Sequence, residues 1–218
     1  MSAPGPILII NPNACEAVTG EIARAVAPLQ PAQGPVFETM RVAHGPDTIA
    51  SAAHIAQAAL DVAQIAQARP DASAFVSACF SDPGVELART LVPQPVIGIM
   101  EAGILTAMAR ADLFGVIALG PGSVARHRVR MRQMGVEGRL AGELALDNAS
   151  AKDAGHADDV FAQTLERGAA LRDMGAGALV LGCAGFSPRR AALEQALGIA
   201  VIDPVVAAAA LALSAVTK

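Results

Sequence analysis

Tryptophan and tyrosine are absent from the sequence, and phenylalanine occurs only six times in 218 residues. A core without large rings must be filled by Ala, Val, Ile and Leu, which suits helices laid closely on a sheet. Charge is scarce as well: 17% of residues are charged against 53% hydrophobic. That balance excludes a disordered chain and leaves material for one large domain or two small lobes. No excess of positive charge exists. A net charge of −4 removes the electrostatic footprint of a nucleic-acid binder or of a protein seated on an anionic membrane. Long apolar runs are missing too. Residues 7–10 are too few for the core of a signal peptide, and residues 1–6 before them carry no basic side chain. The tract 205–216, mostly Ala, is too short for a bilayer span and reads as a buried helix.

The three cysteines are widely spaced, with no CxxC pair. A disulfide framework is not expected, and a reducing cytoplasm is the natural compartment. His44, His54, His127 and His156 are scattered without ligand spacing, so no metal site is expected. Gly120-Pro121-Gly122 lacks the third glycine of a dinucleotide fingerprint, and Pro121 removes an N–H that such a loop needs. Nucleotide binding is rejected on that ground.

What the sequence does have is alternation. Short apolar runs at 7–10, 36–41, 74–78, 96–99, 115–119, 178–181 and 199–202 are separated by helical stretches, with a further short strand somewhere in 138–146. Asp47 is the expected cap of a long Ala-rich helix over 49–68. This order predicts an α/β fold with parallel strands and helices on both faces. In such sheets ligands bind past the carboxyl ends of the strands. Asn11, Cys79, Gly120 and Cys183 each fall there.

Two stretches share one construction. Ala74-Phe75-Val76-Ser77-Ala78-Cys79-Phe80-Ser81-Asp82-Pro83-Gly84 and Ala178-Leu179-Val180-Leu181-Gly182-Cys183-Ala184-Gly185-Phe186-Ser187-Pro188 both run from a buried strand through a cysteine into a tight turn and a helix start. The chain reads as a doubled half, each half delivering one thiol. The predicted lobes are 1–110 with Cys79 and 111–218 with Cys183, the last helix either staying with its own lobe or crossing to the other. A thiol beside a helix N-terminus meets unpaired backbone N–H groups, which favour the thiolate. Two such thiols suit the inversion of a carbon acid next to a carbonyl. One removes the proton and the other donates to the opposite face, with no cofactor required. Cys15 has no counterpart in the second half and reads as a cap-position residue or a bystander.

The residues Ile10-Asn11-Pro12-Asn13, Gly45-Pro46, Ala78-Cys79-Phe80-Ser81-Asp82-Pro83-Gly84, Gly98 with Glu101-Ala102, and Leu181-Gly182-Cys183-Ala184-Gly185-Phe186 carry a resemblance over nearly the whole chain. The sequence resembles the Asp/Glu/hydantoin racemase superfamily, in its hydantoin racemase branch. The resemblance implies two pseudo-symmetric α/β lobes, an active site between them, and cofactor-independent racemisation of a 5-substituted hydantoin or allantoin-like ring by a two-cysteine mechanism. By matching, Cys79 and Cys183 are the acid/base residues. Asn11, Pro12, Pro46, Thr48, Phe80, Ser81, Gly120, Ser123, Ala184 and Gly185 are the implied substrate contacts.

The chain departs from that pattern where relatives place threonines, at Gly120-Pro121-Gly122-Ser123. It also has uncharged Ala184-Gly185 where relatives that take free amino acids have Thr-Glu. A buried ammonium without a partner is costly, so a neutral amide ring fits better than a zwitterion. The rival readings are an Asp/Glu-type amino-acid racemase, a maleate-isomerase-like or arylmalonate-decarboxylase-like enzyme on the same scaffold, and a non-catalytic small-molecule binding protein. A homo-oligomer is expected. The basic helix start around Arg126-His127-Arg128 is either a solvated face or a subunit contact.

Overall fold

The computed structural model describes residues 5–147 and 149–216. The first four residues of the stretch 1–6, read above for a leader, lie outside them. The chain divides into two compact units. One comprises the chain up to Ala102 together with the segment from Val205 onward, and the other runs from Gly103 to Pro204.

The elements alternate as the hydrophobic pattern predicts. In order they are β1 (Ile7–Asn11), α1 (Glu16–Val26), β2 (Phe37–Arg41), α2 (Ala52–Ala68), β3 (Ala74–Ser77), α3 (Val85–Arg89), β4 (Val96–Gly98) and α4 (Ile99–Arg110). Then follow β5 (Phe114–Ala118), α5 (Pro121–Gln133), β6 (Leu140–Ala145), α6 (Asp153–His156), α7 (Asp158–Asp173), β7 (Ala178–Gly182), α8 (Arg190–Leu197), β8 (Ala200–Ile202) and α9 (Pro204–Val216). Among the described residues, no helix is long and apolar enough to cross a membrane.

Each unit holds a four-stranded parallel sheet, and the two sheets have the same order: β2-β1-β3-β4 and β6-β5-β7-β8. The central strands β1, β3, β5 and β7 are buried along their whole length. This explains why they read as continuous apolar runs rather than alternating ones. One core gathers Leu8, Ile10, Val62 and Phe75. The other gathers Ile117, Leu179, Leu181 and Phe186. With few rings available, the aliphatic side chains of the strands carry most of the packing.

Three details depart from the sequence pattern. Helix α2 starts at Ala52, and its cap is Ser51, whose Oγ accepts the His54 N–H at 3.1 Å. Residues 47–50 lie outside the helix, with bends at 47 and 48, so Asp47 is too early to cap it. The second detail is α6, a single turn before α7 that no strong periodicity announces. Ser150 Oγ, ahead of its N-terminus, accepts the Asp153 N–H at 3.1 Å. The third lies in α5. Its arginines are half-buried or exposed, but His127 turns inward and is 2% exposed. Its Nδ1 lies 2.6 Å from Oε1 of Glu143 on β6, a carboxylate that is itself fully enclosed. Arg128 Nε lies 3.9 Å from the other oxygen, Oε2. At the opposite edge, Glu194 of α8 accepts the Val201 N–H of β8 at 3.0 Å. That bond, aided by the Arg190 charge, holds its carboxyl below the usual carboxylate range.

Removing the imidazole leaves the enclosed Glu143 carboxyl group without its hydrogen-bond partner. His127→Leu is therefore expected to lower stability by about 3–5 kcal/mol. Replacing both partners by apolar residues, as in His127→Leu with Glu143→Leu, is expected to recover most of that loss. Urea denaturation followed by circular dichroism checks both. A single variant as stable as the parent protein overturns the assignment.

Candidate functional site

The first unit builds its candidate site from the loops that leave β1, β2 and β3. Strand β1 ends at Asn11, which pairs in register with Arg41 of β2. The β1–β3 ladder continues through the bond from Ala78 N–H to the Ile10 carbonyl at 2.8 Å. Cys79 is thus the first residue past the ladder. The turn after it closes through Asp82 N–H on the Cys79 carbonyl at 2.9 Å. Ser77 Oγ donates to the Pro83 carbonyl at 2.9 Å and ties the strand end to the same turn. Asp82 adopts a positive φ of 46°, and Gly84 one of 79°. Cys79 and Ser81 are half-buried, and Phe80 and Asp82 are buried.

Asn11 is fully enclosed and its amide is spent inside its own loop. Nδ2 donates to Asn13 Oδ1 and to Thr19 Oγ1, both at 2.9 Å. Asn13 Oδ1 also accepts the Cys15 N–H at 2.9 Å. This network bends the chain from β1 into α1, and Asn11, Pro12 and Asn13 are all buried within it. The loop after β2 docks on it: Ala14 N–H donates to the Pro46 carbonyl at 3.0 Å, and Val42 N–H to the Asn11 carbonyl at 2.9 Å. Gly45 is required at that approach, because a Cβ would stand 2.8 Å from the Pro12 carbonyl oxygen. Asn11, Pro12, Pro46 and the Cys79 turn therefore lie together at one end of this sheet. Thr48, half-buried, lies two residues farther along the loop toward α2.

The second unit repeats the plan on β5 and β7. Ala118 pairs with Gly182, so the segment from Leu119 and the turn at Cys183 leave adjacent strands side by side. Ser123 Oγ donates to the Gly120 carbonyl at 2.7 Å, closing the first turn of α5. A Cβ at Gly120 or Gly122 would meet nothing within 4 Å. Cys183 is extended, with φ −162° and ψ 144°, and opens the 3₁₀ turn Ala184–Arg189. Its Sγ accepts the Gly185 N–H at 3.4 Å. A backbone N–H aimed at sulfur favours negative charge there. Ala184 and Gly185 are both buried.

One supporting segment escaped sequence reasoning. A Cβ on Gly185 would fall 1.8 Å from the Ala151 carbonyl oxygen, and one on Gly155 would fall 2.6 Å from the Gly185 carbonyl oxygen. The 150–155 segment is therefore pressed against the Cys183 turn. Arg189, from the end of that turn, donates to the Gly155 and His156 carbonyls at 3.1 and 2.8 Å and pairs with Asp158 at 2.8 Å. The only sequence signal was the pair of glycines at 155 and 185, which is too generic to read.

None of Cys15, Cys79 and Cys183 is in a disulfide. Cys15 sits at the N-cap of α1 without a side-chain capping bond. Among the described residues, no group of three or more His, Cys, Asp or Glu is placed to hold a metal ion. The arrangement offers two half-buried thiols, each at the carboxyl end of the third strand of its sheet. Each is followed in sequence by two uncharged residues, Phe80-Ser81 and Ala184-Gly185.

Comparison with known proteins follows the same outline. The family described as Asp/Glu/Hydantoin racemase matches residues 7–212. The hydantoin racemase of Paenarthrobacter aurescens is 35% identical over 217 residues, covering 96% of this chain and 90% of that protein. The hydantoin racemase of Rhizobium meliloti is 33% identical, covering 94% of this chain and 86% of its own length. Among solved structures, the allantoin racemase from Klebsiella pneumoniae superimposes with a TM-score of 0.89 at 29% identity, over 98% of this chain and 87% of the other.

The tight fit at Gly185 gives a direct check. Gly185→Ala forces the turn away from Ala151 and is expected to shift Cys183 and to speed its alkylation by iodoacetamide. Cys79, in the other unit, is expected to keep its parent rate. Peptide mass spectrometry of the two thiols reads both, and an unaltered Cys183 rate contradicts the close approach.

Proposed function

The chain belongs to the Asp/Glu/hydantoin racemase family, and from that premise we propose that it is a cofactor-independent racemase or epimerase of 5-substituted hydantoins or allantoin-like rings. The observation that carries the reading is the matched pair of thiol turns. Cys79 follows β3 and Cys183 follows β7, in sheets of identical order. The residues after each cysteine are uncharged at the positions nearest the sulfur.

The chemistry follows from the groups present. The C5 proton of a hydantoin ring is flanked by a carbonyl that delocalises the carbanion left by its removal. One thiolate takes that proton and becomes a thiol. The other thiol gives its proton to the opposite face of C5 and becomes the thiolate. The pair then stands ready for the mirror-image substrate, so charge and protons balance in each direction. Backbone N–H groups in the turns after the two cysteines are the natural donors to the enolate oxygen. Pro12, Pro46, Thr48, Phe80, Ser81, Gly120, Ser123, Ala184 and Gly185 are assigned to substrate contact. Asn11 is assigned to the same rim, where its amide shapes the turn that carries Pro12.

Two features support a neutral ring over a free amino acid. Ala184 and Gly185 supply no carboxylate for an ammonium group, and an ammonium buried without a partner costs several kcal/mol. The relatives named above are a pair of hydantoin racemases and an allantoin racemase.

The test is racemisation, with proton–deuterium exchange at the substrate carbon, across hydantoins, allantoin, free amino acids and arylmalonates. Hydantoins or allantoin are expected to turn over fastest. Faster turnover of aspartate or glutamate overturns the substrate class. Cys79→Ser and Cys183→Ser are each expected to lose racemisation by about 10²–10⁴-fold, the contribution of one acid–base group. Their residual exchange is expected to favour opposite enantiomers, because each variant retains one competent base. Cys15→Ser is expected to match the parent. Equal enantiomer preference in the two active-site variants overturns the two-base scheme.

A further inference from the structure

We propose that Asp82 is the positioning residue for the Cys79 thiol, acting by clamping the thiol turn to the first turn of α4. This inference rests on the two-thiol reading of the site. Its carboxylate spans two backbone donors: Oδ1 accepts the Met100 N–H at 2.8 Å, and Oδ2 accepts the Glu101 N–H at 2.9 Å. A carboxylate is the ideal partner for the unpaired N–H groups and the positive end of a helix dipole. Charge-assisted bonds of this kind are about twice as strong as neutral ones. Asp82 is only 6% exposed, so water does little to weaken them.

The geometry around the clamp has no slack. A Cβ on Gly98 would lie 2.1 Å from the Asp82 carboxylate carbon, so the side chain crosses directly over the end of β4. To reach there, Asp82 takes a left-handed backbone conformation, which side chains other than Asn and Asp rarely accept. The same residue closes the turn from within, through its N–H on the Cys79 carbonyl. A second tie runs parallel to the first. Arg89 of α3 donates to the Val96 carbonyl at 2.9 Å and pairs with Glu101 at 2.8 Å. The stretch that begins at Cys79 is thus pinned to β4 and α4 at both ends, with the buried carboxylate nearer the sulfur.

The second thiol lacks this device. Three residues after Cys183 stands Phe186, fully buried in the core, where the first half has Asp82. In the first sheet Ser77, two residues before Cys79, is in register with Gly98. Extending the β7–β8 register by one step places Leu181, two residues before Cys183, beside Asp203. The carboxylate has moved from the thiol turn to the residue before the following helix. Asp82 therefore serves one thiol and not the other, which gives it a signature that general support of the fold would not have.

That signature is read in two ways. The enantiomers of a substrate with one stereocentre are equal in free energy, so a variant must lose kcat/KM equally in both directions whichever thiol is displaced. Exchange at the substrate carbon is not so constrained. Asp82→Asn keeps the volume, the tolerance for a left-handed backbone and one acceptor oxygen. It is expected to lower racemisation of hydantoins about 10²-fold, the cost of roughly an ångström of misplacement. The exchange it loses is expected to be that of the enantiomer silenced by Cys79→Ser, with exchange of the other enantiomer retained. Independently of any substrate, the pH profile of iodoacetamide alkylation is expected to shift at Cys79 and to stay in place at Cys183.

Equal shifts at both thiols, or none, overturn the proposal, as does parent-level racemisation by folded Asp82→Asn. Where Asp82→Ala does not fold, Asp82→Asn decides. If the parent protein racemises no hydantoin and no allantoin, the functional reading falls, while the comparison of Cys79 with Cys183 alkylation still decides the role of Asp82.

Discussion

No side chain larger than hydrogen fits at Gly98 or Gly185, and the placement of both thiols depends on that. A parallel strand delivers its last residue to a rim where the ladder has run out. What happens next is decided by the few atoms that hold the turn. At Cys79 the turn is held by a carboxylate lying across Gly98. At Cys183 it is held by the carbonyl of Ala151 pressed against Gly185. In both cases the turn after the cysteine is held by a contact a methyl group would destroy, so the glycines fix where each thiol turn sits.

The two halves solve the same problem differently. Their sheets share one strand order, and their thiols sit at equivalent strand ends. Yet one turn carries a buried charge and the other a buried ring, Phe186. A two-base racemase needs its thiols to be equivalent only in reach and proton affinity, not in how they are held. Mirror-image substrates present opposite faces to the pair, and the overall equilibrium constant is unity whatever each thiol's surroundings. Divergence of the supporting shells is therefore tolerated so long as each turn stays rigid. Asp82 provides that rigidity electrostatically, and the 150–155 segment with Arg189 provides it sterically.

The architecture was legible because the central strands are buried on both faces, which turns each into an unbroken apolar run with a turn after it. The thiols were legible for the same reason, since each follows such a run directly. What the sequence did not reveal are contacts between residues distant along the chain. Asp82 reads as a turn residue ahead of Pro83, and nothing local announces that its oxygens reach Met100 and Glu101. His127 reads as one member of a basic helix face. Its burial against Glu143 is visible only once β6 is laid beside β5. Ser51 displaced Asp47 as the cap of α2 because the helix begins only at Ala52, after a loop whose 42–46 part is docked on the 11–14 segment, a tertiary contact that local propensity does not carry. The 150–155 segment lacked any periodic signal because a single helical turn is too short to have one.

The departure at Gly120-Pro121-Gly122-Ser123 takes on a definite meaning in this light. Gly45, Gly98 and Gly185 are glycines because a neighbouring atom occupies the space of a Cβ. Gly120 and Gly122 are different, since a Cβ at either would meet nothing within 4 Å. Their φ values are not in the left-handed region either, so neither the backbone nor the packing demands glycine there. Pro121 at the first turn of α5 removes an N–H that has no intrahelical partner in any case, and Ser123 commits its hydroxyl proton to the Gly120 carbonyl. The fold would accept hydroxyl-bearing side chains at these positions, and the chain has none. The bareness of this rim is thus free of structural cause, whereas the glycines around the thiols are fixed by it. The two sets of residues separate what the turns require from what the rim presents. The first set is tied to the two thiol turns, and the second is open to change without disturbing them.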